Sequence, residues 1–254
     1  MKAIVTGASG GLGAMIAREL AARGFELILV ARRQTETEAL AQSLTVKTAV
    51  LSLDLCKEAD CFALYESAKG SGVDLLVNNA GCGVFGSFSE TDLSRELAML
   101  DLNIRALHIL TKLFLQEFTA RGHGMILNVA SVAAFAPGPL LSAYYASKSY
   151  VLRLDEAIAA ELRYAHSGVS ICTLCPGPIA TDFNQNAGVL PSRHGANAQK
   201  IAAYAVKHTL KGKSRILLPG LSVKLGAFAT WLLPARLTQR FLYRFQQKKR
   251  GKRT

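Results

Sequence analysis

The chain has 254 residues, half of them hydrophobic, which suffices for one globular domain with a sizeable core. Lys and Arg outnumber Asp and Glu by 30 to 18, for a formal net charge of +12. The composition excludes a disordered chain, and five cysteines are too few and too odd in number for a disulfide-stapled scaffold. We therefore expect reduced cysteines and a cytoplasmic location. The five histidines show no ligand spacing, so no metal site is expected.

The first forty residues predict a nucleotide-binding turn. Residues 2–6 are typical of a short strand and residues 12–23 of a helix. The turn between them carries Gly7, Ser9, Gly11, Leu12 and Gly13. Glycines at such a strand-to-helix turn let backbone N–H groups and the helix dipole hold a pyrophosphate. The sequence therefore predicts that a dinucleotide binds here.

The end of the second predicted strand indicates which dinucleotide. This strand, residues 26–31, ends in Ala31 and is followed by Arg32 and Arg33. In a dinucleotide fold this point meets the adenosine ribose, where a carboxylate would bind a 2′-hydroxyl and an arginine a 2′-phosphate. We expect NADP(H) in preference to NAD(H).

Further apolar runs at 73–77, 125–129, 169–174 and 215–218 alternate with longer helical stretches. This rhythm predicts an α/β fold, a Rossmann-type doubly wound parallel sheet of about seven strands with helices on both faces. We expect residues 1–220 to form one domain that includes the substrate pocket.

Tyr144 and Lys148 are four residues apart in Tyr-Tyr-Ala-Ser-Lys, so on a helix they share a face. A lysine ammonium beside the phenol would favour the phenolate and lower the tyrosine pKa, making Tyr144 a general acid/base. Tyr145 also lies near Lys148, but at a spacing of three.

These motifs, with Asp54-Leu55, Asn78-Asn79-Ala80-Gly81, Asn103, Ser131 and Pro176-Gly177 in order along the chain, resemble the short-chain dehydrogenase/reductase family in its compact single-domain form. The resemblance covers residues 1–220. It selects Tyr144 over Tyr145 as the catalytic tyrosine and implies that Ser131 polarises the substrate carbonyl. It also implies that Asn103 anchors a water that relays protons to Lys148.

For the cofactor, the resemblance implies that Asp54 binds the adenine amino group, with Leu55 beside it. Lys148 would also bond the nicotinamide ribose. The cleft would be lined by a further set of residues, namely Asn79, Ala80, Gly81, Pro176, Gly177, Ile179 and Thr181.

The segments expected to line the substrate pocket, Val132 to Ala143 and Phe183 to Leu190, are mostly apolar and carry no charge. We expect an oxidoreductase that interconverts a hydrophobic ketone or aldehyde and its alcohol. Reduction of a 3-oxoacyl thioester is an alternative, and a catalytically silent cofactor-binding sensor or scaffold is another. The resemblance also implies a homodimer or homotetramer.

The positive charge is concentrated at the C-terminus. The 72 residues after Asp182 contain fifteen Lys or Arg and no Asp or Glu. In residues 235–247 an arginine recurs every fourth position beside an apolar face, which predicts a basic amphipathic helix. This extension, residues 221–254, could fold over the pocket or pack on a partner subunit. Alternatively, residues 235–254 contact an anionic membrane. An acidic carrier protein is a further alternative, and nucleic acid is not expected because no aromatic-interleaved basic platform is present.

Overall fold

The computed structural model describes residues 1–180 and 195–247. Its centre is a sheet of seven parallel strands in the order β3-β2-β1-β4-β5-β6-β7. The strands are β1 (Lys2–Thr6), β2 (Glu26–Ala31), β3 (Thr48–Ser52), β4 (Val73–Asn78), β5 (Gly124–Val129), β6 (Val169–Leu174) and β7 (Arg215–Leu217). The predicted α/β class and the seven-stranded parallel sheet are confirmed.

Helices cover both faces of this sheet. They are α1 (Gly11–Ala21), α2 (Gln34–Gln42), α3 (Glu58–Ala68), α4 (Leu93–Leu100), α5 (Leu107–Arg121), α6 (Ser142–Tyr164), α7 (Ala198–Thr209), α8 (Leu221–Leu232) and α9 (Ala235–Gln247). A π-helical turn, Asp101–Ala106, joins α4 to α5, and a 3₁₀ turn, Val132–Phe135, follows β5.

The core has two layers because successive strand residues point to opposite faces. Ala3 and Val5 of β1 pack under α1 and α7, whereas Ile4 between them packs on the other face with α3 and α5. Phe114 and Phe118 of α5 are fully buried in that second layer. Both faces of the central strands are therefore dry, and their carboxyl ends form one edge of the sheet.

The strand order reverses between β1 and β4. From β1 the chain builds outward through β2 and β3, then returns to place β4 on the other side of β1. In open α/β sheets, ligands bind outside the carboxyl ends of the strands at such a reversal. A ligand-binding site is therefore expected at the turns after β1 and β4.

A buried polar network crosses the sheet below this edge. Asn78 donates through Nδ2 to Asn128 Oδ1 at 2.9 Å, and Asn128 donates to Asp155 Oδ1 at 2.7 Å. Thr173 donates to the second carboxylate oxygen of Asp155 at 2.8 Å. Burial raises the pKa of Asp155 to about 7 although both hydrogen bonds act to lower it. The network ties β4, β5, α6 and β6 together directly beneath the candidate site.

Candidate active site

The glycine turn after β1 lies against the turn after β4. Gly7 has a φ of +67°, which L side chains rarely adopt, and a Cβ at Gly13 would lie 2.2 Å from the Gly7 carbonyl oxygen. The same Cβ would lie 2.5 Å from Asn79 Nδ2. Only glycine fits at these two positions, so the turn presents backbone in place of side chains, as a pyrophosphate site requires.

Thr6 and Asn79 join the two turns. The Thr6 hydroxyl accepts from the backbone N–H groups of Asn79 and Ala80 at 3.0 and 3.1 Å. Asn79 Nδ2 donates back to the Thr6 carbonyl at 3.0 Å. Both side chains use these hydrogen bonds to hold the end of β1 against the end of β4. Asn79 therefore stabilises the turn.

The two arginines after β2 reach different neighbours. Arg33 donates through Nε to Ser9 Oγ at 3.2 Å, and a Cβ on Gly10 would lie 3.3 Å from its guanidinium. Arg32 Nη1 lies 3.9 Å from Asp54 Oδ1, and both side chains are solvent-accessible. Arg33 therefore lies at the rim of the glycine turn, where the sequence predicts a 2′-phosphate, and Arg32 lies beside Asp54.

Asp54 follows β3, as predicted, and Leu55 beside it is buried in the core. The backbone N–H of Asp54 donates to Asp60 at 2.7 Å, and Asp54 Oδ1 accepts from Cys56 N at 3.3 Å. The loop is thus fixed, and the second oxygen of the Asp54 carboxylate is not used by these bonds.

Tyr144 and Lys148 lie on α6, with the Lys148 Nζ 5.9 Å from the centre of the Tyr144 ring. Lys148 is 5% exposed and donates to the Val129 carbonyl at 2.9 Å. Burial lowers the pKa of Lys148 to about 8, because desolvation penalises the ammonium. The pair therefore meets on one helical face at the end of β5, as its spacing predicts.

The predicted lowering of the Tyr144 pKa is not what the structure shows. Burial raises it to about 12, and the hydrogen bond with Ser131 offsets part of that rise. Desolvation of the buried phenolate is the largest cause, and the Lys148 ammonium, 5.9 Å from the centre of the ring, does not offset it. At neutral pH this tyrosine holds its proton.

Ser131 lies directly after β5 and caps the 3₁₀ turn, its Oγ accepting from Ala133 N at 3.1 Å. The backbone on either side is held by bonds from Ala130 to Leu174 and from Val132 to Pro176, at 2.8 and 3.0 Å. The serine hydroxyl is therefore positioned against the Tyr144 hydroxyl by a rigid strand end.

Asn103 is 1% exposed and lies in the π-helical turn between α4 and α5. Its side chain donates to the Cys82 carbonyl at 2.9 Å and to Ser147 Oγ at 3.1 Å, and accepts from Cys82 N at 3.0 Å. Ser147 in turn donates to the Tyr144 carbonyl at 2.7 Å. The side chain thus clips the turn after β4 to α6, so the predicted water would need a different group of Asn103 as its anchor.

Gly81 lies between these groups. A Cβ there would be 3.1 Å from Asn103 Oδ1 and 3.4 Å from Lys148 Nζ. On the far side, Pro176 and Gly177 follow β6, and a Cβ on Gly177 would lie 3.2 Å from Val223 of α8. Ile179 forms an isolated bridge with Ala196. Thr181 and the predicted pocket segment from Phe183 to Leu190 lie outside the described residues.

Helix α9 forms one wall of the site. The sequence had left open whether this C-terminal segment covers the pocket, packs on a partner subunit or contacts a membrane. Gln246 of α9 is 2% exposed and donates to the Tyr145 hydroxyl at 3.0 Å. Leu242 of α9 packs with Ala133, Leu141 and Tyr145. The sequence does contain a pattern for this buried face, since Thr238, Leu242 and Gln246 repeat every four residues. Two of the three are polar, however, so the pattern did not indicate burial.

Together these features define a dinucleotide-binding α/β protein with a Ser-Tyr-Lys group at the carboxyl edge of its sheet. The family model described as "short chain dehydrogenase" matches residues 1–189. The chain belongs to the short-chain dehydrogenase family.

The relatives that the chain matches span a range of lengths. The chain is 31% identical over 215 residues to hydroxysteroid dehydrogenase-like protein 1 of Gallus gallus, covering 80% of this chain and 64% of that protein. It is 32% identical over 221 residues to the ketoacyl reductase HetN of Nostoc sp., covering 83% and 75%. The chain thus spans about two thirds to three quarters of the length of these two relatives.

Among solved structures, the chain resembles a short-chain dehydrogenase from Sphingobium yanoikuyae in complex with NADPH. The TM-score is 0.81 at 27% identity, covering all of this chain and 98% of the other.

Proposed function

We propose that this chain is an NADP(H)-dependent oxidoreductase that reduces a hydrophobic ketone or aldehyde to its alcohol. The observation that carries this proposal is the meeting of Ser131, Tyr144 and buried Lys148 beside a glycine turn in which side chains do not fit. Such a group can donate a proton to a substrate oxygen and stabilise charge as it develops.

In this mechanism Tyr144 is the proton donor. Its pKa of about 12 keeps it protonated at neutral pH, which favours reduction of a carbonyl over oxidation of an alcohol. NADPH, when bound, supplies the hydride that the carbonyl carbon receives. The Tyr144 hydroxyl then gives its proton to the carbonyl oxygen, so the product is a neutral alcohol, and Ser131 donates a hydrogen bond to the same oxygen.

Lys148 supports this transfer from a dry position. Its ammonium stabilises the phenolate left on Tyr144 after proton transfer, and an uncharged lysine would not. Because burial holds its pKa near 8, the charged form dominates below that pH.

The preference for NADP(H) rests on Arg32 and Arg33. Arg33 bonds Ser9 at the rim of the glycine turn, Arg32 lies beside Asp54, and Ala31 before them offers no carboxylate for a ribose hydroxyl. Asp54, Leu55, Asn79, Ala80, Gly81, Pro176, Gly177, Ile179 and Thr181 complete the proposed cofactor site. The NADPH complex of the similar Sphingobium structure supports this choice.

The proposed substrate is apolar near its carbonyl. Ala133, Leu141 and Tyr145 pack beside Tyr144, and Phe85 and Leu242 join them. Reduction of a 3-oxoacyl thioester is the alternative within this class, and the name of the Nostoc relative, a ketoacyl reductase, is consistent with it.

For its assembly and location we propose a homodimer or homotetramer and a cytoplasmic protein, with residues 1–220 as the oxidoreductase domain. We also propose that residues 235–254 contact an anionic membrane peripherally. No helix in the described part of the chain is long and apolar enough to cross a bilayer.

The test of catalysis is Tyr144→Phe. The variant should bind NADPH within about twofold of wild type, because the ring and Lys148 remain, and should lose turnover by a factor of about 10³ or more. Exposed Tyr164→Phe is the matched control and should be silent. Full activity of Tyr144→Phe on any ketone that the wild type reduces would contradict the assignment.

The rival reading is a silent NADP(H)-binding sensor. It predicts tight NADPH binding by the wild type with no oxidation of NADPH across ketones, aldehydes and acyl thioesters. The intact set of Ser131, Tyr144 and Lys148 argues against it, since binding alone does not require the hydroxyls of Ser131 and Tyr144 to meet beside the lysine.

A further inference from the structure

The last two helices carry eight of the seventeen large hydrophobic side chains that are exposed among the described residues. On α8, Leu221, Leu225, Phe228 and Leu232 repeat at spacings of four, three and four, and Leu221 is 72% exposed. On α9, Leu237, Phe241 and Phe245 repeat every four residues, and Phe241 is 69% exposed. Each set forms one stripe along its helix.

The inward faces of these helices are accounted for. Val223 of α8 lies against Gly177, and Thr238, Leu242 and Gln246 of α9 face the protein. The exposed stripes therefore lie on other sides of helices that already have a packed side. Contiguous exposed apolar surface of this kind marks an interaction site.

Cations border both stripes. Arg236, Arg240 and Arg244 form an exposed row one position before the apolar stripe of α9. Lys224 of α8 lines a groove of about 430 Å³ at the edge of β7 together with Lys213 and Arg215, and no carboxylate lines it.

The positive field of this groove is also visible at His208, which lines it. Burial and the neighbouring cations, Lys211 first among them, lower the pKa of this histidine. No Asp or Glu follows Asp182 in the sequence, so α8 and α9 carry no acidic residue of their own.

This charge pattern selects the kind of partner. A second copy meeting the same patch across a two-fold axis would bring arginine against arginine with no acid between them. A nucleic acid would satisfy the cations but leave the leucine and phenylalanine stripes in water. An anionic bilayer satisfies both, because its headgroups pair with Lys and Arg while its acyl region takes up the apolar side chains.

We propose that α8 and α9 together form a docking surface for an anionic lipid bilayer, and that α9 couples this surface to the substrate pocket. This docking surface adds α8 to the membrane contact proposed above for residues 235–254. The coupling, which rests on the proposed function, follows from the two sides of α9: Phe241 faces outward, while Leu242 and Gln246 lie on the pocket residues around Tyr145. A hydrophobic substrate dissolved in the membrane would then enter beside the helix that the membrane holds.

The docking surface is tested by sedimentation of the full chain with vesicles of phosphatidylcholine and phosphatidylglycerol, and with phosphatidylcholine alone. Binding should appear only with the anionic vesicles and weaken at high salt. Reversing two charges with Arg236→Glu and Arg240→Glu should weaken it by roughly 25-fold or more, at about fivefold for each arginine lost. Lys57→Glu with Lys69→Glu makes the same change in net charge at two exposed positions at the ends of α3, away from this surface, and should weaken binding far less.

The apolar component is tested with Phe241→Ser, which should weaken vesicle binding by about tenfold. Tyr164→Ser, at an aromatic side chain 80% exposed at the end of α6, is the matched control and should have no effect. The proposal is overturned if wild type does not bind anionic vesicles at low salt, or if both control variants lose as much binding as their partners. It is also overturned if Phe241→Ser dissociates an oligomer while leaving vesicle binding intact, since the stripe would then be a subunit contact.

The coupling has a separate kinetic test. Anionic vesicles should lower the KM for a long-chain ketone carried in the bilayer severalfold in wild type but not in the Arg236→Glu, Arg240→Glu variant. The KM for a small water-soluble ketone should stay the same in both. Equal KM changes in wild type and variant would overturn the coupling. If no ketone is reduced while vesicles still bind, the proposed function fails and the docking surface stands.

Discussion

At the scale of single residues, the site combines a neutral acid with a cation that is easily discharged. Tyr144 holds its proton to a pKa of about 12, whereas Lys148 gives up its proton near 8, and burial is the first cause of both shifts. Burial always favours the uncharged form, so it moves an acid and a base in opposite directions. Below about pH 8 the free site therefore has a protonated Tyr144 and a positively charged Lys148 at the same time.

The pH dependence of reduction should report Lys148. Because its pKa lies below the ordinary lysine value, the cation is present below about pH 8 and lost as pH rises through 8. We expect kcat/KM for ketone reduction to fall above that pH, since kcat/KM reflects groups of the free enzyme. Lys148→Arg keeps a cation at all accessible pH values, so whatever rate it retains should lack this alkaline fall. An unchanged profile in the variant would assign the fall to another group.

Cofactor preference should depend on Arg33 and Arg32. Each charge-assisted bond to a 2′-phosphate is worth roughly 1.5–3 kcal/mol, so Arg33→Ala or Arg32→Ala should weaken NADPH binding by about tenfold or more. NADH binding should change little. Titration of both cofactors by fluorescence measures this, with exposed Arg153→Ala on α6 as the control. Equal dissociation constants for the two cofactors in wild type would refute the preference.

The sequence predicted most of this site because its residues stand in fixed relation to strand ends. Ser131 follows β5, Asn79 follows β4 and Gly7 follows β1, and the hydrophobic pattern locates each of those ends. It did not predict the partners of Asn103, since a side chain that bonds the backbone of Cys82 leaves no mark in the identity of residue 82. Nor did it predict the raised Tyr144 pKa, which depends on burial and not on spacing.

At the scale of elements, the first turn of α1 packs closely against two neighbouring turns because it has no side chain at Gly13. A Cβ on Gly13 would meet both the Gly7 carbonyl and Asn79, which is itself bonded to Thr6. Crowding at one helical position therefore reaches the turn after β4 as well as the turn after β1.

Gly13→Ala should accordingly weaken NADPH binding by at least tenfold and lower the melting temperature. Gly226→Ala is the matched control, because it also lies in a helix but meets nothing within 4 Å of its added Cβ. There alanine should raise stability by up to about 1 kcal/mol, its ordinary advantage over glycine in a helix. Melting curves and NADPH titration of the two variants distinguish crowding from helix propensity. Equal behaviour of the two would contradict the close approach.

The elements were predicted unevenly. The helix over residues 235–247 coincides with α9, because its four-residue repeat is strong. The third strand, Thr48–Ser52, lacks an apolar run since it is the edge strand and none of its residues is fully buried. The π-helical turn at Asn103 could not be predicted, because one extra residue in a helical turn shifts the pattern by less than the pattern's own irregularity.

At the scale of the whole molecule, the polar network around Asp155 makes stability depend on pH. The folded state raises the pKa of this carboxyl from about 4 to about 7, so its protonated form favours folding. That contribution to the free energy of unfolding is complete below about pH 4 and is lost as pH rises to about 7. A tenfold difference in proton affinity between the folded and unfolded states corresponds to about 1.4 kcal/mol.

Asp155→Asn should therefore gain stability relative to wild type as pH rises from 5 to 8, since an amide can still bond Asn128 and Thr173 without carrying charge. Urea unfolding at several pH values measures the difference. Glu161→Gln, an exposed site on the same helix, should show no such trend. A constant difference between Asp155→Asn and wild type across this range would show that the carboxyl does not titrate in the folded state.

The strand order also bears on how the sheet can assemble while the chain is being translated. Each of the six strands β2 to β7 can pair with a strand that has already been made, so the sheet can grow outward from β1 without opening a finished ladder. The cofactor turns are complete once Gly81 has emerged, whereas Gln246 lies 101 residues after the tyrosine that it contacts. At about 5–20 residues per second, Tyr145 waits roughly 5–20 s for that partner. Once Thr181 has also been made, a nascent chain has the residues proposed to hold its cofactor while one wall of its substrate pocket has still to be translated.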